Sequence, residues 1–231
     1  MRNRLGNSSF RISLSTFDLK CIALLTMLID HIGLFLFPGE IWMRYIGRLS
    51  FPIFAFLIVE GYVHTRNVKK YMVRLGLFAV ISEIPYDLVR THQLIDWNTQ
   101  NVFFTLFLGL ACVAIWNSSQ HLLLKGAFFL AVAAASHYLI KANYGIGGIA
   151  MILCFFWFRE PRYWVERVLS IGALNVCLYG PIQAHAIWAF LPLGCYNGEK
   201  GPSAKYLFYL FYPLHLLILY LIWRLNYDIA V

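Results

Sequence analysis

Apolar and polar positions segregate into long apolar runs, each closed by a charge, a glycine or a proline. Runs near 18–37, 46–63, 73–89, 102–116, 121–139, 145–158, 165–179, 182–194 and 206–223 each predict a helix. A helix needs about 20 residues to cross roughly 30 Å of hydrocarbon. The sixth to eighth runs are shorter than that, which predicts tilting, half-insertion or partial fusion of the seventh and eighth around "YGPIQ" (Tyr179 to Gln183). No soluble-domain-sized polar segment, low-complexity tract or internal repeat interrupts the pattern. The expected architecture is all-α: one polytopic transmembrane bundle of about 8–9 spans over residues 1–231, with a short basic segment, 1–16, in the cytoplasm.

Composition strengthens that picture. Apolar residues make up 60% of 231 positions and charged ones 13%, against about 25% charged in ordinary soluble domains. The first apolar run is too long for a signal-peptide core and has no small-residue cleavage site, so it reads as a retained span. The net charge of +8 records topology rather than nucleic-acid binding. With nine spans and a cytoplasmic N-terminus, five of the 19 basic residues (Arg44, Arg48, Arg90, Lys141 and Arg224) fall on the outer side or outer half, leaving 14 inside. Fusing spans seven and eight moves Lys200 and Lys205 outside and Arg224 inside, 13 against 6. Charge therefore fixes the first half firmly and the second half weakly. The five cysteines are odd in number and unclustered, indicating neither a disulfide framework nor a metal site. Trp42, Trp97 and Trp223 near span ends fit interfacial anchoring.

Against this background the polar residues inside the runs stand out. "TMLIDHIGLFLF" (Thr26 to Phe37) carries Asp30 and His31 where an ionisable residue at membrane depth marks a functional site by default. At a helical rise of about 1.5 Å per residue, His31 lies about 16 Å above Lys20 and Glu83 about 14 Å above Arg74. Arg48 lies about 18 Å from Glu60, and His215 about 15 Å above Lys205. Titratable groups from four helices thus reach a common level. His31 shares a face with Lys20, Leu24 and Met27. Asp30 is rotated about 100° onto a small-residue face with Ala23, Thr26 and Gly33, suited to close packing. His31 is the candidate general base, with Asp30 a pairing group, for instance with Arg48. For Arg48 two further readings stand: a structural ion pair with Glu83 or Asp87, or an arginine that stabilises an anion. His215, in "FYPLHLLIL", is either a core histidine bonded to a carbonyl or part of the site, and His137 fits the common level less well. The basic stretch "EGYVHTRNVKKY" is either a topology signal or a holder of phosphates. "NYGIGGIAM" (Asn143 to Met151) opens an apolar helix, so its glycines suit close packing. No Walker-type loop, zinc spacing or Gly-x-Ser-x-Gly elbow is present.

The stretches "LKCIALLTMLIDHIG", "RLSFPIFAFLIVEGYVHTRN", "KYMVRLGLFAVISEIPYDL", "QNVFFTLFLGL" and "YLFYLFYPLHLLILYLI" resemble the TraX family, associated with F-type conjugative pili. The resemblance spans residues 19 to 222 and implies N-terminal acetylation of membrane-inserted pilin with acetyl-CoA as donor. A more distant similarity is to the transmembrane acyltransferase superfamily. Its Arg-x-x-Ala ahead of a first-helix histidine corresponds here to Lys20, Ala23 and His31, and its Tyr-x-x-His to Tyr212 and His215. Lysine in place of arginine loses the bidentate fork for phosphate.

The residues and the resemblance lead to one expectation: a bacterial inner-membrane acetyltransferase without a metal, acting on an amine at the outer side. Its expected catalytic set is His31, Asp30, Arg48, Glu83 and His215. The acetyl-CoA contacts are expected from Lys20, Arg66, Lys69, Lys70 and Arg74, at the basic inner face. Expected partners are membrane lipids and a pilin or another amine-bearing membrane protein. Two alternatives stand beside it: a proton-coupled transporter relaying through Asp30, His31 and Glu83, and a non-catalytic scaffold of a pilus or secretion machine.

Overall fold

The computed structural model describes residues 12–229, and for Lys205 and residues 227–229 the backbone alone. Arg2, Arg4 and Arg11, on which the N-terminal charge argument drew, lie outside the described residues.

Helix α1 (Thr16–Phe35) starts at a reciprocal cap. The Ser15 hydroxyl accepts from the Asp18 amide, and the Asp18 carboxylate accepts from the Ser15 amide at 2.8 Å. That arrangement satisfies two of the donors a helix start leaves open. The second expected span is two helices, α2 (Ile41–Gly47) and α3 (Ser50–His64), set end to end with Arg48 in the joint. α4 (Val68–Thr91) is capped by Asn67, carries Pro85 inside and stops where His92 turns left-handed at φ 61°. α5 (Val102–Trp116) is capped by Asn101, and α6 (Leu122–Ala134) runs on through a π turn, Ala135–Leu139. α7 (Gly145–Trp157) and α8 (Trp164–Tyr179) follow. The eighth expected helix is broken. Gly180 (φ 79°) and Pro181 turn the chain into α9 (Pro181–Ala184), a 3₁₀ turn (His185–Ala189) and α10 (Phe190–Gly194). α11 (Lys205–Ile229) closes the chain. The described residues contain no strand, only two isolated bridges.

Those bridges fix the ends of the bundle. Leu14 donates to the Cys195 carbonyl at 2.8 Å and Thr16 to that of Glu199 at 2.7 Å, so α1 and α11 start side by side. Gln100 and Asn143 are joined at 3.0 Å at the opposite end. Stacking of Phe78 on Tyr209 and of His92 on Trp223 repeats the same sequence offset, so α4 and α11 run parallel. Lys200 therefore lies at the same end as Lys20. The fused alternative, which sends them to opposite faces, does not occur.

The surface is inverted relative to a soluble protein. α4 exposes Val73, Leu77, Val80, Ile81 and Ile84, and α11 exposes Leu207, Leu210, Leu214, Ile218 and Leu221, both at helical spacing. Meanwhile Asp87, Asn101 and Thr105 are fully buried. Contiguous apolar stripes of this extent find their solvent in lipid, and this is a membrane protein. Three helical stretches, Ile41–His64, Leu122–Leu139 and Tyr206–Asn226, are long and apolar enough to cross a bilayer on their own. α5 and α7 are shorter apolar helices.

Candidate functional site

α1 brings Asp30 and His31 together in sequence but sends them to different partners. Asp30 faces the joint between α2 and α3. Arg44 Nη1 reaches one carboxylate oxygen at 2.8 Å and Arg48 Nη2 the other at 2.5 Å. Arg48 also donates to the Gln183 side-chain oxygen at 3.1 Å and to the Arg44 carbonyl at 3.3 Å. Close approach of the helices depends on Gly47, where any Cβ would overlap the Asp30 carboxylate. The small face of α1 that holds Ala23, Thr26, Asp30 and Gly33 is buried throughout. Arg48 is thus paired with Asp30; the alternative pairs with Glu83 or Asp87 are not formed.

His31 turns instead to α11. Its Nδ1 lies 2.7 Å from His215 Nε2, with the two rings parallel to within 1°. His215 Nδ1 lies 2.8 Å from the Phe211 carbonyl. A carbonyl only accepts, so His215 carries its proton on Nδ1 and leaves Nε2 as a lone pair. That lone pair takes the proton of His31 Nδ1. In the neutral pair, His31 Nε2 is therefore left unprotonated, and it makes no hydrogen bond among the described residues. The Pro-loosened turn before His215 ("FYPLH") and the carbonyl bond expected for a core histidine are both present, together with the link to His31.

Two cavities meet beside this pair. One, of about 380 Å³, is lined by Asp30, His31, Arg44, Arg48, Arg90 and Tyr144 among others. Tyr144 is held there by stacking on Phe51, centroids 3.7 Å apart. The other, of about 490 Å³, opens toward the α1 start and is lined by Lys20, Arg74, Lys200, Glu60, Tyr196 and aromatic side chains. Met27, Phe54, Val102 and Tyr212 line both, forming a neck between them. The Tyr212 ring borders both imidazoles, 6.3 Å from His31 and 5.6 Å from His215.

The other expected site residues distribute unevenly. Lys20 and Arg74 line the second cavity, whereas Arg66, Lys69 and Lys70 are exposed and do not. Glu83 lines neither cavity. Its carboxylate accepts from the Asn101 backbone amide at 3.3 Å and side-chain amide at 2.5 Å, fastening α4 to the start of α5. Asp87 likewise receives the Asp96 amide at 2.8 Å. His137 is exposed on the π turn after α6. Residues that the sequence reading missed are Gln183, Tyr144, Arg90 and Lys200. Gln183 alone had a legible signal, as the single amide in an apolar stretch broken by glycine and proline.

The TraX protein family model matches residues 15–223. The chain belongs to this family. A probable fimbrial assembly protein, FimC of serogroup H1 from Dichelobacter nodosus, is 31% identical over 238 residues, covering 91% of this chain and 96% of that protein. Protein TraX of Escherichia coli is 28% identical over 169 residues, 72% of this chain and 63% of that protein. An uncharacterized protein of Rickettsia prowazekii is 34% identical over 101 residues, 44% of this chain and 37% of that one. The chain therefore spans nearly all of the Dichelobacter protein and less than two thirds of the other two. No solved structure matches. The family match covers His31, Arg44, Arg48, Gln183 and His215, so both cavities lie inside it.

Proposed function

We propose that this TraX-family protein is a multi-pass acyltransferase of the bacterial inner membrane, moving an acetyl group from cytoplasmic acetyl-CoA to an amine at the outer face. The observation that carries this reading is the neck. It lies between a cavity lined by Lys20, Arg74 and Lys200 and one lined by Asp30, Arg44, Arg48 and His31, whose Nε2 is unprotonated. Nine passes with the N-terminus inside put Lys20, Arg74 and Lys200 at the cytoplasmic surface, the side on which the positive-inside rule concentrates lysine and arginine. Those three cations suit the phosphates of the donor, while its thioester end reaches toward His31 through the neck.

In this reading His31 Nε2 accepts the proton of the acceptor amine as the new C–N bond forms. Arg48 faces the developing oxyanion. The proton then passes to the departing sulfur as the C–S bond breaks, leaving a free thiol and an amide. A general base of this kind contributes about 10²–10⁴-fold. The acceptor we favour is the N-terminus of a pilin or fimbrial subunit, in keeping with the fimbrial-assembly name of the Dichelobacter relative. That name also supports a second reading, a non-catalytic assembly scaffold.

Intact-mass analysis of membrane proteins from cells with and without the gene tests the activity, together with transfer of labelled acetyl to an amine-bearing peptide by purified protein. The expected result is an added acetyl mass that His31→Ala abolishes at unchanged expression. Full pilus assembly by a His31→Ala, His215→Leu double variant would favour the scaffold.

A further inference from the structure

The charges lining the outer cavity do not balance. Arg44, Arg48 and Arg90 face it with a single carboxylate, Asp30. Both oxygens of Asp30 are already bound by Arg44 and Arg48. Arg90 has its own acid, Asp96 at 3.4 Å, outside the lining. The surplus therefore sits on the Arg44–Arg48 pair, and the two guanidiniums are not equivalent. Arg48 uses Nε, Nη1 and Nη2 on protein acceptors. Arg44 spends Nη1 alone, on the Asp30 carboxylate and the Asp30 carbonyl at 3.2 Å. Its Nε and Nη2 make no hydrogen bond among the described residues, and the side chain keeps 24% exposure where it lines the cavity. An Nε/Nη2 edge is the planar fork that takes a carboxylate bidentately.

We propose that this open edge of Arg44 is an anion subsite, and that the acceptor is a peptide carrying a carboxylate close to its reacting amine. The surplus charge also opposes entry of an ammonium and favours the amine in its neutral, nucleophilic form. The carboxylate supplies the attraction that a bare N-terminus lacks in a cavity of this sign. This inference rests on the proposed acceptor role of the outer cavity, but its first readout is binding and needs no acyl transfer.

The test uses two free-amine hexapeptides that differ only in Asp or Asn at the second position, each labelled at the C-terminus. Their binding to the purified full-length protein is followed by fluorescence anisotropy. Two charge-assisted hydrogen bonds predict preference for the Asp peptide by at least about tenfold. Arg44→Lys keeps a cation for Asp30 but loses the fork, and should cut the preference severalfold. Arg44→Gln should abolish it, with thermal melting to check that each variant is folded. Equal affinity for both peptides, a preference undiminished in folded Arg44→Lys, or one that persists in folded Arg44→Gln overturns the subsite. Loss of the preference on adding phosphatidylethanolamine vesicles, with phosphatidylglycerol vesicles without effect, would give the edge to a lipid amine-phosphate headgroup and equally overturn it. Acetyl transfer measured on the same peptides separates the two claims. Preference without transfer keeps the subsite and removes the enzyme, and transfer without preference does the reverse.

Discussion

The most informative single position is His215, because its role relies on one hydrogen bond. Its Nε2 is the acceptor that holds the proton of His31 on Nδ1, at 2.7 Å, and so leaves the far nitrogen of His31 unprotonated, as the proposed base requires. His215→Phe preserves an aromatic ring against Phe211 and Tyr212 but removes that acceptor. The His31 N–H is then left without a partner in a half-buried setting, which costs about 1–3 kcal/mol. The ring escapes that cost by moving its proton to Nε2 or by rotating away, and either response removes the base. The rate should fall by about 5- to 150-fold, the kinetic equivalent of the same free energy. His215→Gln offers a carbonyl oxygen to His31 and an amide hydrogen to the Phe211 carbonyl, and should recover most of the loss. The assay is the initial rate of acetyl transfer to a fixed peptide by protein in nanodiscs, with ¹⁵N shifts of the His31 ring reporting its tautomer. A His215→Phe variant within twofold of wild type would refute the reasoning. So would a His215→Gln variant no better than His215→Phe, because a merely space-filling role follows shape and not acceptor chemistry.

Other expectations concern packing and the neck. Gly47→Ala places a methyl group into the Asp30 carboxylate and should displace it from both arginines, lowering the yield of folded protein or its melting temperature. Gly39→Ala, where a Cβ meets open space, should not, and equal behaviour of the two would refute the close-approach argument. Met27→Ala combined with Val102→Ala removes two of the four side chains shared by the cavities. In proteoliposomes holding a pH-sensitive dye, that variant should leak protons faster than wild type. An unchanged rate would mean that the neck is not the seal between the two sides.

Much of the bundle was legible because lipid and protein demand the same simple pattern. Apolar runs placed the fourth to seventh expected helices within one residue of α5, α6 with its π turn, α7 and α8, where length and hydropathy coincide with the ends of the helices. The failures fall where backbone chemistry overrides hydropathy. The stretch 182–194 reads as one apolar helix, yet Pro181 and Pro192 each lack an N–H, Gly180 adopts φ 79°, and the segment breaks into short pieces. Irregular backbone of this kind is tolerated in a membrane where it is packed inside protein, and Ala186, Ala189 and Gln183 are indeed buried. In the site, shared depth along helices correctly linked His31 with His215. Depth carries no information about azimuth, however, and Glu83, at the same computed level, points to the start of α5 instead. Lys20 and Arg74 were legible as cavity cations from topology, whereas Lys200 joins them only because backbone bonds tie its loop to the start of α1.

The way the polar residues are tied down also bears on the choice between a base and a relay. A proton relay through Asp30, His31 and Glu83 requires carboxylates that gain and lose protons in turn and touch one another. Asp30 has both oxygens committed to guanidiniums, one to Arg44 and one to Arg48, and touches no other carboxylate among the described residues. Glu83 is engaged by both amides of Asn101 and makes no hydrogen bond to His31 among the described residues. Among the described residues, the only hydrogen-bonded route from His31 runs to His215 and stops at the Phe211 carbonyl, a group that cannot pass a proton onward. A chain that ends blind is poorly built for carrying protons across a membrane. It is well built for fixing one tautomer of one imidazole, which is the requirement of a general base and the reason the acyl-transfer reading is preferred.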